Sequence, residues 1–295
     1  MNEIRRQSHN KRANPRSLSR MAWMVFIVVL IIVYFVYKIN QHPNGGWSKE
    51  PIVKNKYEPD AKEGKVYEKP FFSLSYVEKY ELPEWVTYQL TVDMLNHHKF
   101  PRTQDFNPDP AITSGSGHYH DYKSSDYRRG HLVPAGDMSW NKAAMDATFL
   151  LSNIAPMKEE FNDGIWNELE QDVRDWARKY KEVIVVAGPV FKDPITSIGA
   201  NDILVPRYFY KAVFTTEDNH PRVIGFVFDQ TKTAPGELQE YVVPIDSIEK
   251  MTGLDLFANL YGNWDTEITL EKNKSSMREW PANERWYEER VNGKR

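Results

Sequence analysis

The chain predicts an α+β fold: a mostly antiparallel sheet with helices packed on it, preceded by a single transmembrane helix. Three observations carry that expectation. Aromatic and β-branched runs recur between turn residues, as strands require. One stretch, 164–180, changes to apolar steps of three and four residues, as an amphipathic helix requires. And Met21–Tyr37 holds no charged residue.

In chain order the anchor comes first. The run MAWMVFIVVLIIVYFVY covers roughly 26 Å at about 1.5 Å per residue, close to a hydrocarbon core of about 30 Å. Trp23 near one end and Tyr34 and Tyr37 near the other suit the two interfaces, and Lys38 can snorkel. A cleaved signal peptide is the rival reading, but the following KINQHPNGGW has no small-residue cleavage pattern. An uncleaved signal-anchor over 21–38 is favoured. Residues 1–38 carry seven Lys/Arg against Glu3, six of them before the span, so 1–20 is expected to be a basic cytoplasmic tail. The remainder then faces outward, on the periplasmic or extracellular side.

The N-terminal balance of +6 leaves −9 for the rest of a chain whose total is −3. An acidic body argues against coating nucleic acid through a broad basic surface, so phosphate chemistry would need a focused site. The absence of cysteine removes disulfides, thiolate metal sites and cysteine nucleophiles.

Residues 39–64 are polar, with Pro, Gly, Lys and Glu, and read as a tether. A domain is expected over 65–265, with a C-terminal extension over 266–295. Strands are predicted at FFSLSY (71–76) and WVTYQLTV (85–92), with Pro83 breaking between them. Residues 101–125 read as a long loop, which in a compact domain is functional or mobile. Thr148–Ile154 is a strand candidate. The helix that follows carries Ile165, Trp166, Leu169, Val173, Trp176, Ala177 and Tyr180 on one stripe, with Asn162 and Asp163 as capping candidates. Strands follow at Glu182–Ala187, Arg207–Phe214, Val223–Phe228 and 241–245, then a short helix from Asp246 that stops at Gly253.

The chemistry concentrates in YRRGHLVPAGDM (127–138) and, 31 residues after His131, at Asn162. Glu170 and Arg174 are four apart, project from one side of the helix and lie off its apolar stripe. Asn162 is expected at the mouth of that helix, where free N–H groups favour an anionic ligand. The inventory suits metal-assisted phosphodiester hydrolysis. A hard cation takes oxygen ligands from few protein groups, here Asn162 directly and Glu170 through water. His131, with an ordinary pKa of about 6.5, can take the proton of an attacking water. Arg129 and Arg174 can hold phosphate.

RGHLVPA, SNIAP and FN-x-x-x-W-N-x-L-E-x-x-x-R stand in one order over the chain. Together they resemble the DNA/RNA non-specific endonuclease family, the ββα-metal, endonuclease G-like nucleases, from about Val66 to about Leu260. The resemblance implies a ββα-metal nuclease fold and cleavage leaving 5′-phosphate and 3′-hydroxyl ends. It implies His131 as general base, Arg129 as its neighbouring arginine and Asn162 as the sole direct ligand of Mg²⁺, with Mn²⁺ as an alternative. Glu170 would hold the metal through water, Arg174 would contact phosphate, and Asn153 would support the site. The family usually has Asp-Arg-Gly-His, whereas this chain has Arg128 in the Asp position. An arginine cannot act as a base, so position 128 is expected to lie outside the chemical step. It would contact phosphate away from the scissile bond, or else pair with a neighbouring carboxylate.

His118 and His120 read as loop residues, as do His97 and His98; Trp166, Trp176 and Tyr180 read as core rather than base-stacking platforms. Asp137 is either beside the base or a turn residue. The partners implied are DNA or RNA and, through 21–38, a membrane; a homodimer and an inhibitor protein are left open. Two other functions remain on the sequence alone. One is a non-catalytic DNA-binding or uptake module on the same fold, against which every catalytic position is filled. The other is a phosphodiesterase for small substrates.

Overall fold

Alternation along the strands decides the architecture. On the strand Glu182–Val190, Val183, Val185 and Ala187 enter one apolar core, while Ile184, Val186 and Val190 enter another on the opposite face. A strand buried on both faces belongs in the middle of a sheet that is covered twice. The computed structural model describes residues 57–281, apart from 104, 124, 218–219, 233–235 and 262–263. Among these, no helix is long and apolar enough to cross a membrane. The predicted tail, the span over 21–38 and most of the tether lie outside the described residues.

The strands are β1 (Lys65–Glu68), β2 (Ser73–Val77), β3 (Leu82–Thr91), β4 (Arg128–His131), β5 (Ile154–Met157), β6 (Glu182–Val190), β7 (Thr196–Ile198), β8 (Ile203–Val205), β9 (Tyr208–Glu217), β10 (His220–Asp229) and β11 (Val242–Val243). The main sheet has seven strands in the order β1-β2-β3-β6-β9-β10-β11, each pairing antiparallel with its neighbour. This matches the predicted mixed fold with an antiparallel sheet. One face is covered by the helix Asn167–Tyr180, through Leu169, Val173, Trp176 and Ala177. The other is covered by the helix Ile245–Thr252 and the segment Leu254–Tyr261.

Several boundaries differ from the sequence expectation. Pro83 does not break the chain but lies inside β3, opposite Tyr76 where the β2 register shifts. The break comes earlier, at a 3₁₀ turn Glu78–Tyr80 closed by Glu81 at φ 55°. Thr148–Ile154 is not one strand. Asn141 caps a helix over Lys142–Thr148, its Oδ1 accepting from Ala143 N and Ala144 N at 2.8 and 3.1 Å, and β5 starts only at Ile154. The loop over 101–125 includes the helix Tyr119–Lys123 and is pinned where Asp109 pairs with Lys69 at 2.5 Å and accepts from Ser152 Oγ.

The ends of the predicted domain also move outward. The buried Glu84 carboxylate accepts from the backbone N–H groups of Lys62, Glu63 and Gly64 and from Ser75 Oγ, so the last residues assigned to the tether are docked. At the other end, Trp280 is 1% exposed. Its ring meets Trp176 and Tyr180 edge-on, and its carbonyl accepts from Trp176 Nε1 at 3.0 Å. The extension predicted from residue 266 is therefore part of the core as far as Trp280.

Removing that indole should cost accordingly. Trp280→Ala is expected to lower the unfolding free energy by about 3–5 kcal/mol, measured by chemical denaturation. A loss below about 1 kcal/mol, the range of ordinary surface substitutions, would show the segment to be an appendage.

Candidate active site

β4 and β5 pair antiparallel, with Arg128 opposite Met157, Arg129 opposite Pro156, Gly130 opposite Ala155 and His131 opposite Ile154. At Gly130 a Cβ would fall 2.2 Å from Met157 Sδ, so the glycine lets that side chain pack against the strand. Arg129 and His131, two residues apart, leave the strand on the same side. Facing them is a helical stretch that begins at Glu159, loosens into a π turn over Asn162–Trp166 and continues as Asn167–Tyr180. Gly164 carries the irregularity, at φ −94° and ψ −116°.

Arg129, His131, Asn162, Glu170 and Arg174 come together in the wall of a cleft of about 380 Å³. Arg102, Asn167 and Gln171 also line it. His131 is 7% exposed, with Phe149 and Phe106 against its ring. Burial, then the charges of Arg102 and Arg129, push its pKa down to about 3. Its buried Nε2 has no hydrogen-bond partner. Arg129 lies between two rings, 4.5 Å from the centre of Phe106 and 4.7 Å from that of Tyr119, which fixes the plane of its guanidinium. Arg174 pairs with the buried Asp137, which also accepts from Tyr88 Oη at 2.8 Å. Gly136 leaves room for that arginine, since a Cβ there would meet its Nη1 at 3.2 Å. Asp137 is thus the holder of Arg174 as well as a turn residue, its own N–H donating to Pro134 O.

The donor set fits a hard divalent cation. Asn162 Nδ2 donates to Asp163 Oδ1 at 2.6 Å, which leaves the amide oxygen available. The carboxyl of Glu170 is raised by burial and held back by Lys211 and Arg174. Oxygen donors beside waters are what Mg²⁺ or Mn²⁺ takes. Two carboxylate groups elsewhere, Asp246/Glu249/Glu271 and Asp255/Glu267/Glu271, include no cleft residue.

One expectation is corrected and two are narrowed. Asn162 is not at the free mouth of a helix: its N–H donates to Lys158 O at 2.9 Å, so any role in the site belongs to its side chain. Asn153 does not face the cleft. It is fully buried, accepts from Val133 N at 2.9 Å, and donates to Val133 O and Thr148 O at 3.0 and 2.9 Å. Its side chain is spent holding the backbone just after His131. Arg128 points away from the cleft and pairs with Glu159, both side chains more than half exposed. Trp166, Trp176 and Tyr180 are core as expected. His97, His98, His118 and His120 are exposed and line no part of the cleft. Arg102 was missed because nothing local marks it within a loop, and Lys211 because it sits in a strand of apolar residues.

The profile of the DNA/RNA non-specific endonuclease family matches residues 50–263. The chain belongs to this family. It is 33% identical over 202 residues to mitochondrial nuclease EXOG of Danio rerio, covering 63% of this chain and 59% of that one. It is 32% identical over 198 residues to mitochondrial endonuclease G of Homo sapiens, covering 60% and 64%. The chain therefore spans less than two thirds of these relatives' own length. A crystal structure of an EndoG/EndoGI complex, described as the mechanism of EndoG inhibition, superposes with a TM-score of 0.66 at 28% identity. It covers 73% of this chain and 94% of that one.

Family membership does not make every motif residue chemical, and Asn153 tests the distinction. Asn153→Ala would leave Val133 N–H, Val133 O and Thr148 O buried without partners, each costing about 1–3 kcal/mol. The expected result is a stability loss of about 3 kcal/mol or more, with kcat of the folded fraction reduced only as far as His131 shifts, and by less than in His131→Ala. A stable variant without activity would place Asn153 in the chemistry instead.

Proposed function

We propose that this chain is a metal-dependent endonuclease that hydrolyses phosphodiester bonds of DNA, RNA or both without reading sequence, on the ββα-metal pattern of β4, β5 and the 159–180 helix. The observation that carries this reading is His131 in the wall of a cleft that also presents arginines and oxygen donors.

In this reading His131 is neutral, because burial holds its pKa to about 3, so it accepts the proton as the water oxygen bonds to phosphorus. The bond from phosphorus to O3′ breaks, leaving a 5′-phosphate and, after O3′ takes a proton from solvent, a 3′-hydroxyl. Arg129, flattened between Phe106 and Tyr119, presents its edge to the phosphate, and Arg174, braced by Asp137, adds a second cation. Asn162 directly and Glu170 through water would hold Mg²⁺ or Mn²⁺, which supplies charge compensation at the phosphate oxygens.

Nicking of plasmid DNA and cleavage of RNA, each with Mg²⁺ and with EDTA, test the reading. Activity should vanish in EDTA. His131→Ala should lose about 10²–10⁴-fold in kcat, and Asn162→Ala most of its activity. The pH profile is the sharper check. The sequence alone places the acid limb near the ordinary imidazole value of about 6.5. The structure lowers His131 far below it, so kcat/KM, which reports the free enzyme, should hold well below pH 6.5. EDTA-resistant cleavage would count against the assignment, and an acid limb at the ordinary imidazole value would show that burial does not hold His131 down in the working enzyme.

We further propose that residues 21–38 anchor the chain with its nuclease domain outside the cytoplasm, on the charge asymmetry about the span. Protease added to intact cells or spheroplasts should then degrade the domain. Full protection would exclude this orientation.

A further inference from the structure

Phe209, Lys211 and Val213 leave β9 on the face covered by the long helix, and the two apolar ones belong to its core. Lys211 is fully buried between them. Its Nζ has no hydrogen-bond partner and rests 4.0 Å from the centre of the Trp166 ring. A buried ammonium without a hydrogen bond is a cost that an apolar side chain would avoid, and a cation–π contact returns only about 2 kcal/mol. Packing gives no reason for a lysine here.

The reason lies one helical turn further on. Trp166 and Glu170 are four residues apart and project from the same side of the helix, so the ammonium sits beneath the turn that carries Glu170. Four charges meet at this place: Asp137, Glu170, Arg174 and Lys211. Asp137 and Arg174 pair directly. Glu170 and Lys211 make no direct ion pair among the described residues, yet after burial each is the strongest charge acting on the other. A hydrogen-bonded lysine would occupy the carboxylate. One held short of it, on an indole face, compensates the charge and leaves the oxygens free.

We propose that Lys211 is the buried counter-charge of Glu170, a positioning residue that keeps this carboxylate in the cleft wall with its oxygens open to water and cation. It acts through Glu170 and touches no substrate. The catalytic part of the proposal rests on the nuclease reading above; the pairing of the two charges does not.

A double-mutant cycle on the full chain, Lys211→Met against Glu170→Gln, tests both parts. Lys211→Met leaves Glu170 without its counter-charge and Glu170→Gln leaves Lys211 buried without one; each should lower Tm by roughly 5 °C or more, while the double change should recover most of that loss. In Mg²⁺, Lys211→Met should lose at least about tenfold in kcat with KM for DNA within about twofold, and should add no further loss to Glu170→Gln. If Lys211→Met does not fold, Lys211→Gln replaces it in the same cycle. Additive Tm losses, or a rise in Tm on Lys211→Met alone, would overturn the pairing. A risen KM with kcat intact would overturn the positioning role. An inactive wild type would sink the nuclease reading, and the Tm cycle would still decide the pairing.

Discussion

One hydrogen bond ties the helix side of the cleft to the base itself: Trp166 Nε1 donates to the backbone carbonyl of His131 at 3.1 Å. His131 ends the strand that carries Arg129, and Trp166 sits in the π turn between Asn162 and the helix bearing Glu170 and Arg174. A buried hydrogen bond of this kind adds only about 1 kcal/mol net, so its importance is geometric. It sets how far the imidazole stands from the oxygen donors. The Asn153 contacts to Val133 hold the same backbone from the other side, so His131 is clamped between a strand-side and a helix-side contact. Chemistry that needs groups placed to a fraction of an ångström requires this kind of support.

The irregular turn at Gly164 follows from the same requirement. A regular α-helix from Glu159 to Tyr180 would advance about 100° per residue, which fixes where Asn162 points relative to Glu170. A π turn changes that angle without breaking the helix, and such turns are frequent at functional sites. Asn162 can thus reach the cleft while Trp166, four residues later, turns into the core against Phe209 and Phe228.

How much of this was legible in the sequence depended on whether a residue acts through local pattern or through long-range contact. The antiparallel strands and the helix stripe were readable because period and turn chemistry are local. His131, Asn162, Glu170 and Arg174 were readable because motif spacing placed them. Asn153 stood in the same motif yet proved to be a backbone clamp, and nothing in the letters SNIAP separates the two roles. Arg102 lies in a loop whose path is fixed by distant contacts such as Asp109 with Lys69. Lys211 was hidden by its neighbours, since a strand pattern says that a residue is buried but not what it is buried against. The π turn was invisible too, because one glycine in a helix usually signals only lower stability.

Arg128 shows why family spacing and family chemistry separate. Its guanidinium and Glu159 are 58% and 56% exposed, and a pair in that setting contributes about 0–1 kcal/mol. Nothing in the cleft leans on it: Arg129 is fixed by Phe106 and Tyr119, and Arg174 by Asp137, which Tyr88 holds in turn. A position outside that scaffold can change sign without moving the imidazole or the oxygen donors. The same logic reconciles an acidic body with the anionic substrate proposed above. Arg102, Arg129 and Arg174 all line one concave wall, and fields within a cleft are focused by its low-dielectric sides. Charge spread over the outer surface is instead screened within about 10 Å at ordinary salt. The phosphate would meet the three arginines before it could respond to the net charge of the chain.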